Sequence, residues 1–289
     1  MKDLYMKINN NNIRYWKTGK GRENIILIHG LGSTINNWEL TIRYLSQKYT
    51  VYAFDLLGFG LSDKPKSGYT IKNWTDIFKK FLEKLKIRKF ILIGHSLGGG
   101  IALEFTAENQ KFVKKLILIS SAGGGKDISY LLRILSIPYL NEMIVNPSLK
   151  NSEWNLKKIL HKSNYNVITK KILKQDYKFS KMPGFKNAYL RTIENNCDLT
   201  GLKDEECEIA NNSIAQIKTP TLIIWGQNDP IFPVEHGKKL NKKIMDSKLH
   251  ILKKCGHMPH LEKKKEFHKV IISFCLEGKS KFWRNIFKY

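Results

Sequence analysis

"FILIGHSLGGGIALEF", residues 90–105, decides the fold. Four apolar residues, Phe90 to Ile93, lead into Gly94-His95-Ser96-Leu97-Gly98-Gly99, and apolar residues at helical spacing follow. The pattern predicts a strand, a sharp turn and a helix running from Leu97 to about Ala107. Glycines two residues before and two after Ser96 match G-x-S-x-G, a turn in which larger side chains would collide and the serine is lifted above the end of the strand. The helix that starts at Leu97 aims its positive end at the same point. A glycine-rich strand-to-helix turn can also bind phosphate in a doubly wound fold. The rest of the chain has to discriminate between the two.

Outward from this stretch the pattern repeats. "NIILIHG" (24–30), "TVYAFDLLG" (50–58) and "VKKLILISS" (113–121) read as buried strands, and "NWELTIRYLSQKY" (37–49) and "IKNWTDIFKKFLEKLKI" (71–87) carry apolar residues at helical spacing. Strands alternating with helices predict a mostly parallel, doubly wound sheet covered on both faces. "LYMKINNNNIRYWKTG" (4–19) predicts an N-terminal hairpin around its Asn cluster. From Gly123 to Ala215 strand signals are few, and regularity returns at "TPTLIIWGQND" (219–229), "PVEHGKKLNKKI" (233–244), "SKLHILKKCGH" (247–257) and a helix over 262–276. The expected organisation is a core of residues 1–122 and 216–289, with 123–215 inserted as a helical lid.

Composition excludes several classes. With 42% hydrophobic and 11% aromatic residues among 289, the chain can bury a core of its own. Lys and Arg outnumber Asp and Glu by 50 to 25, which can signal a nucleic-acid partner. The excess is spread along the chain, and no zinc-finger spacing or RNA-binding aromatic signature accompanies it, so no nucleic-acid partner is expected. Cys197, Cys207, Cys255 and Cys275 lack CxxC pairing, and reduced, buried thiols are expected. No secretory h-region and no apolar run of the ~18 residues needed to span a bilayer are visible, which predicts a cytoplasmic protein. The tail "KSKFWRNIFKY" (279–289) carries Lys279, Lys281, Arg284 and Lys288 beside Phe282, Trp283, Ile286 and Phe287, a pattern suited to weak contact with an anionic membrane surface.

A serine at such a turn is a weak nucleophile until a base removes its proton, and the base needs an orienting carboxylate. Asp229 and His257 follow in the order Ser, Asp, His, each just past the end of a strand, where open parallel sheets place their sites. Asp55 ends another strand, but "DLLGFGLSDKP" (55–65) reads as a turn whose carboxylate caps or pairs, leaving it the second choice of acid. His260, three residues after His257, is expected to be structural. The glycine loop His29 to Ser33 lies beside the turn, so that the N–H of Leu31 can join that of Leu97 as an oxyanion pair. His29, Gly30, His95 and Trp225 are expected to contact substrate.

Five blocks, His29-Gly30, Asp55 to Ser62, Gly94 to Gly99, Trp225 to Asp229 and Gly256-His257, occur in order and resemble the α/β-hydrolase superfamily, in its serine-nucleophile branch. The resemblance spans nearly the whole chain outside the insertion, which corresponds to the family's variable lid. It implies the α/β-hydrolase fold, a Ser96-His257-Asp229 triad, no cofactor, no metal and a small-molecule, apolar acyl substrate. Dehalogenases and epoxide hydrolases of the branch use an aspartate nucleophile, and position 96 is serine. Hydrolases of carbon–carbon bonds in dienoic ring-cleavage products are similar around residues 221–237 and 255–267. They usually carry Asn before the serine and a proline in the first glycine loop, whereas His95 and "HGLGST" stand here, so ester hydrolysis is the expected activity. Carbon–carbon hydrolysis and acyl transfer on the same triad are the alternatives. Cations of the insertion such as Arg191 would hold an anionic substrate, and a silent binding protein on this fold is the remaining rival.

Overall fold

The computed structural model describes residues 1–277, so the basic aromatic tail over 279–289 lies outside the described residues. Six strands are laid down first: β1 (Leu4–Ile8), β2 (Asn11–Thr18), β3 (Asn24–Ile28), β4 (Thr50–Phe54), β5 (Phe90–His95) and β6 (Val113–Ile119). A two-residue pair, β7 (Cys197–Asp198) and β8 (Gly201–Leu202), stands apart as its own small sheet, and β9 (Thr221–Gly226) and β10 (Ser247–Leu252) return to the main one. The main sheet has the order β1-β2-β4-β3-β5-β6-β9-β10. β1 and β2 form the expected hairpin, turning on Asn9 and Asn10 at φ 47° and 65°, a region Asn tolerates better than most residues. β2 pairs antiparallel with β4, and every later pairing in the sheet is parallel. All residues of β4, β5 and β9 are buried, which is why they read as continuous apolar runs rather than alternating ones.

Helices cover both faces. On one, α1 (Glu39–Leu45) is followed in the chain by α2 (Ile71–Lys84) and α3 (Leu97–Asn109), which lie on the other. α2 starts where the Thr70 side chain accepts from the Asn73 amide, and it buries Trp74, Phe78 and Phe81 against the sheet. α3 is buried on nearly every side, so it carries almost no amphipathic signal. Between β6 and β9 run α4 (Tyr130–Ile134), α5 (Leu140–Ile144), α6 (Leu149–Ile159), α7 (Lys170–Ser180), α8 (Phe185–Asn196) and α9 (Asp204–Gln216). The apolar stretch over 127–140 becomes two short helices separated by Pro138, with Tyr130 and Tyr139 exposed rather than lining an interior. α9, which the sequence placed in the insertion, packs along α3 and joins the helical layer over the sheet.

α10 (Val234–Lys243) lies on the same face as α2 and α3, while the C-terminal segment splits into α11 (Pro259–Glu262) and α12 (Lys264–Leu276). Trp38 and Ile42 at the start of the chain's first helical turn meet Phe267 and Ile271 of α12 beneath the sheet. None of the four cysteines is in a disulfide, and Cys207 is half-buried instead of buried like the other three. Among the described residues no helix is long and apolar enough to cross a membrane.

Candidate active site

Parallel register brings Ile28, Phe54, Gly94, Ile119 and Gly226 to one edge of the sheet, so the loops that follow them converge there. Ser96 leaves β5 at φ 54° and ψ −120°, a conformation an L-residue holds only when its surroundings impose it. Backbone hydrogen bonds impose it here, among them three of 3.0 Å or shorter. The Ser96 amide donates to the Ile119 carbonyl at 3.0 Å, and its own carbonyl accepts from Gly99 at 2.9 Å and Ala122 at 3.0 Å. Gly98 is required for a second reason: a Cβ there would come within 2.5 Å of the His29 and Ile28 carbonyl oxygens, so only glycine lets α3 sit this close to the end of β3. The first glycine loop backs directly onto the serine, for a Cβ on Gly30 would stand 2.9 Å from the Ser96 Cβ. Leu31 follows that loop glycine, and Leu97 follows Ser96 as the first residue of α3.

Asp229 and His257 meet across the ends of β9 and β10. The His257 Nδ1–H donates to the Asp229 carboxylate at 2.9 Å to Oδ2 and 3.0 Å to Oδ1, and both side chains are buried. Amides of Ile231 and Phe232 donate to Asp229 Oδ1 at 2.9 and 3.1 Å, so Pro230 does not merely end the strand but turns the chain back onto the carboxylate. Because Nδ1 is committed to Asp229, the other ring nitrogen of His257, Nε2, is the one left to take a proton. His95 ties this pair to the serine turn. Its Nε2–H donates to the His257 carbonyl at 2.8 Å, and the two rings lie 4.9 Å apart. That bond fixes the His95 tautomer, and burial together with the neighbouring His257 drives its pKa down to about 3.

Of the four residues expected at the substrate, three have other partners. His29 is buried, its Nδ1–H donates to the Gly30 carbonyl at 2.8 Å, and its Nε2 accepts from the Leu56 amide at 3.0 Å. Trp225 is wholly buried and donates from Nε1 to the Phe232 carbonyl at 3.0 Å, bracing the turn that presents Asp229. His95 is spent on His257 as above. The polar ring atoms of His29 and Trp225 are thus paired inside the protein. Gly30 keeps its place beside Ser96.

Asp55 is occupied elsewhere. Its Oδ2 accepts from the Arg14 guanidinium at 3.0 Å and the Leu61 amide at 2.9 Å, and its Oδ1 accepts from the Ile35 amide at 2.8 Å. His260 is buried under Trp38, with ring centres 4.4 Å apart, and burial holds its pKa well below the ordinary value, as suits a structural imidazole. Arg191 is exposed and pairs with Glu194 at 2.6 Å.

Glu262 is a residue the sequence reading missed. Its buried carboxylate accepts from the amides on both sides of His257, Gly256 at 2.9 and 3.0 Å and Met258 at 3.2 Å, and from the insertion's His161 amide at 2.9 Å. The His257 amide itself donates to Ile159 of the insertion at 2.8 Å. The only sequence signal was a lone Glu closing "CGHMPHLE", in a run otherwise rich in Lys. Among the described residues no group of three or more His, Cys, Asp or Glu side chains is arranged to hold a metal ion.

A parallel sheet with a strained serine at the end of β5 and a carboxylate–imidazole pair beyond β9 and β10 defines a hydrolase class. The chain belongs to the α/β hydrolase fold family, whose model matches residues 23–155 and 164–264. It is 26% identical over 262 residues to a 2-hydroxy-6-oxononadienedioate/2-hydroxy-6-oxononatrienedioate hydrolase of Cupriavidus pinatubonensis, a match that covers 89% of this chain and 88% of that one. An uncharacterised protein of Mycobacterium tuberculosis is 28% identical over 257 residues, covering 86% of this chain and 74% of the other. Among solved structures, the meta-cleavage product hydrolase of Pseudomonas fluorescens, complexed with acetates, superposes with a TM-score of 0.79 at 27% identity, over 96% of this chain and 98% of that one.

Proposed function

We propose that the chain is a serine hydrolase that cleaves carboxylic esters through an acyl-enzyme. The observation that carries this reading is Ser96, held at φ 54° on the positive end of α3, together with a His257 imidazole that Asp229 orients and whose backbone His95 ties to the serine turn. Ser96 Oγ attacks the acyl carbon while its proton passes to His257 Nε2, and the Leu31 and Leu97 amides receive the negative charge on the carbonyl oxygen. The tetrahedral intermediate collapses as His257 returns the proton to the departing alkoxide, leaving the acyl group on Ser96. Water then attacks that carbon, giving its proton to His257, and the second collapse releases the acid and restores the serine. Asp229 keeps the imidazole in the Nδ1–H tautomer and balances its charge when Nε2 is protonated. On this reading the insertion serves as a lid, and Leu156, Ile172 and Phe179, which line a cavity with the glycine loop, supply apolar walls for a small acyl substrate.

Carbon–carbon cleavage is the second reading, favoured by what the named relatives act on. It demands stabilisation of a carbanion leaving group and, for a dienoate, a cation to hold the carboxylate. Arg191 does not fill that place, because it is exposed and paired with Glu194. One experiment separates the two readings: kcat/KM for aryl esters of graded chain length and for a 2-hydroxy-6-oxo-dienoate, under one set of conditions, with Ser96→Ala as blank. Faster ester turnover is expected, and a dienoate cleaved faster than every ester overturns the choice. An active-site phosphonate should label Ser96 alone, which peptide mapping of the adduct checks.

A further inference from the structure

We propose that the cavity above the first glycine loop is a subsite for a protonated amine, received by Asp176, so that the preferred ester carries an ammonium group away from its scissile bond. The inference rests on the serine-hydrolase reading given above. The cavity, of about 20 Å³, has room for a group the size of a water or an ammonium, and is bounded by Gly32 and Asn37 of the loop that follows Leu31, by Gln175 and Asp176 of α7, and by Leu261, four residues past His257. Residues of α6 and α7 line one part of it, and the glycine loop that backs onto Ser96 lines another. The Tyr189 ring closes over Gly32 at 3.0 Å from where a Cβ would stand, and its phenol feels the charge of Asp176. Among the described residues no Lys, Arg or His lines the cavity.

Charge pairing singles out Asp176. Four acids lie between residues 130 and 196 in a chain with twice as many basic as acidic residues. Glu142 pairs with Lys186, Glu153 with Lys157 and Glu194 with Arg191. Asp176 has no basic partner among the described residues. Lys171, on the same helix, turns outward to Glu39 at 2.7 Å. Burial raises the Asp176 carboxyl above its ordinary range, outweighing the favourable contact with the Ser152 side chain. A carboxylate that lacks a counter-ion in a partly enclosed, half-apolar cavity is costly until something positive arrives. A bound ammonium supplies that charge and its donors, whereas a carboxylate-bearing ligand would bring a second negative charge into the same space.

The test uses the full chain and Asp176→Asn, which keeps the shape and removes the charge, with Asp176→Ser as a second variant. kcat/KM is measured for the nitrophenyl esters of 6-aminohexanoic acid, hexanoic acid and adipic acid (monoester) in high salt, which damps the attraction of the whole basic protein for anions. The expected ratio of aminohexanoyl to adipoyl ester is roughly tenfold to a hundredfold, the size of one charge-assisted contact, and it should collapse toward unity in both variants. A ratio unchanged by the substitutions, or a wild-type preference for the adipoyl ester, overturns the proposal. Ser96-dependent hydrolysis of the hexanoyl ester tests the underlying reading separately. If no ester turns over, calorimetry with hexylammonium and hexanoate still decides the subsite. Hexylammonium binding that Asp176→Asn abolishes supports it, and equal binding by both proteins, or none by either, refutes it.

Discussion

Asp229 and Asp55 both follow strands and both are buried, yet their partners differ. Asp229 accepts from an imidazole and two amides of its own turn, while Asp55 faces a guanidinium whose side chain is as inaccessible as its own. The two carboxylates should therefore fail in different ways. Asp229→Asn is expected to lower kcat on an aryl ester by roughly 10³–10⁴ with the fold retained, since the amide favours the wrong His257 tautomer. Asp55→Asn should leave the His257 pairing untouched and instead cost about 3 kcal/mol of stability, at the low end for a broken buried pair because Asp3 still reaches Arg14 at 2.7 Å. Ester kinetics with denaturant unfolding on the two variants checks both halves. A stable but inactive Asp55→Asn would reverse the assignment of the two acids. Ser96, Asp229 and His257 were legible because each lies at the junction of an apolar run with a glycine or turn residue, a local pattern. The partners of His29, His95 and Trp225 were not, because which carbonyl a ring nitrogen meets depends on residues up to 162 positions away, as from His95 to His257.

Two elements that lie about a hundred residues apart in the chain hold the His257 loop. The C-terminal end of α6 passes over residues 256–257, and α11 sends Glu262 back beneath them, so one carboxylate gathers amides from Gly256, Met258 and His161. Nothing in the hydrophobic pattern announces such a clamp, since a single Glu in a lysine-rich helix reads as a solvated face. The strands were different: a parallel sheet buried on both faces demands apolar runs, and β3, β5 and β9 are written that way, as is β6 from Leu116 onward. The short helices between β6 and β9 blurred for the opposite reason, because Pro138 and several exposed apolar residues break the periodicity there. Glu262→Gln keeps an acceptor but loses its charge and one of its two carboxylate oxygens. It should cost about 2–3 kcal/mol and, by loosening His257, lower kcat tenfold to a hundredfold while KM changes little. Thermal unfolding and ester kinetics measure the two effects. A stability loss with unchanged kcat would mean that the clamp holds the insertion without aligning the imidazole.

At the scale of the molecule the ionisable core sets the response to acid. Five of the eight histidines, His29, His95, His236, His260 and His268, have folded-state pKa values below the ordinary 6.5, chiefly through burial, with His95 near 3 and His236 and His268 near 4. Unfolding exposes imidazoles that take up protons from about pH 6.5 downward, while the folded chain refuses them. The unfolded state therefore binds more protons in that window, and stability present above pH 6.5 is lost as the pH falls toward 4. The formal charge of +25 adds self-repulsion that grows as carboxylates are neutralised. Glu104 works in the other direction. It is buried on α3, and desolvation, offset in part by Lys72, pushes its pKa up to about 7. Its ionisation costs stability above that value, and the cost disappears as the pH falls toward 4.5. The histidines outnumber it, so the unfolding midpoint should fall steeply between pH 6.5 and 4. Glu104→Gln should raise the midpoint at pH 8, where the wild-type carboxylate is charged in an apolar setting, and leave it nearly unchanged at pH 4, where the wild-type side chain is already neutral. Calorimetric scans of both proteins at pH 8, 6.5, 5 and 4 test the sign at each step. A variant no more stable than wild type at pH 8 would mean that Lys72 compensates Glu104 fully and that the carboxylate belongs in the core as a charge.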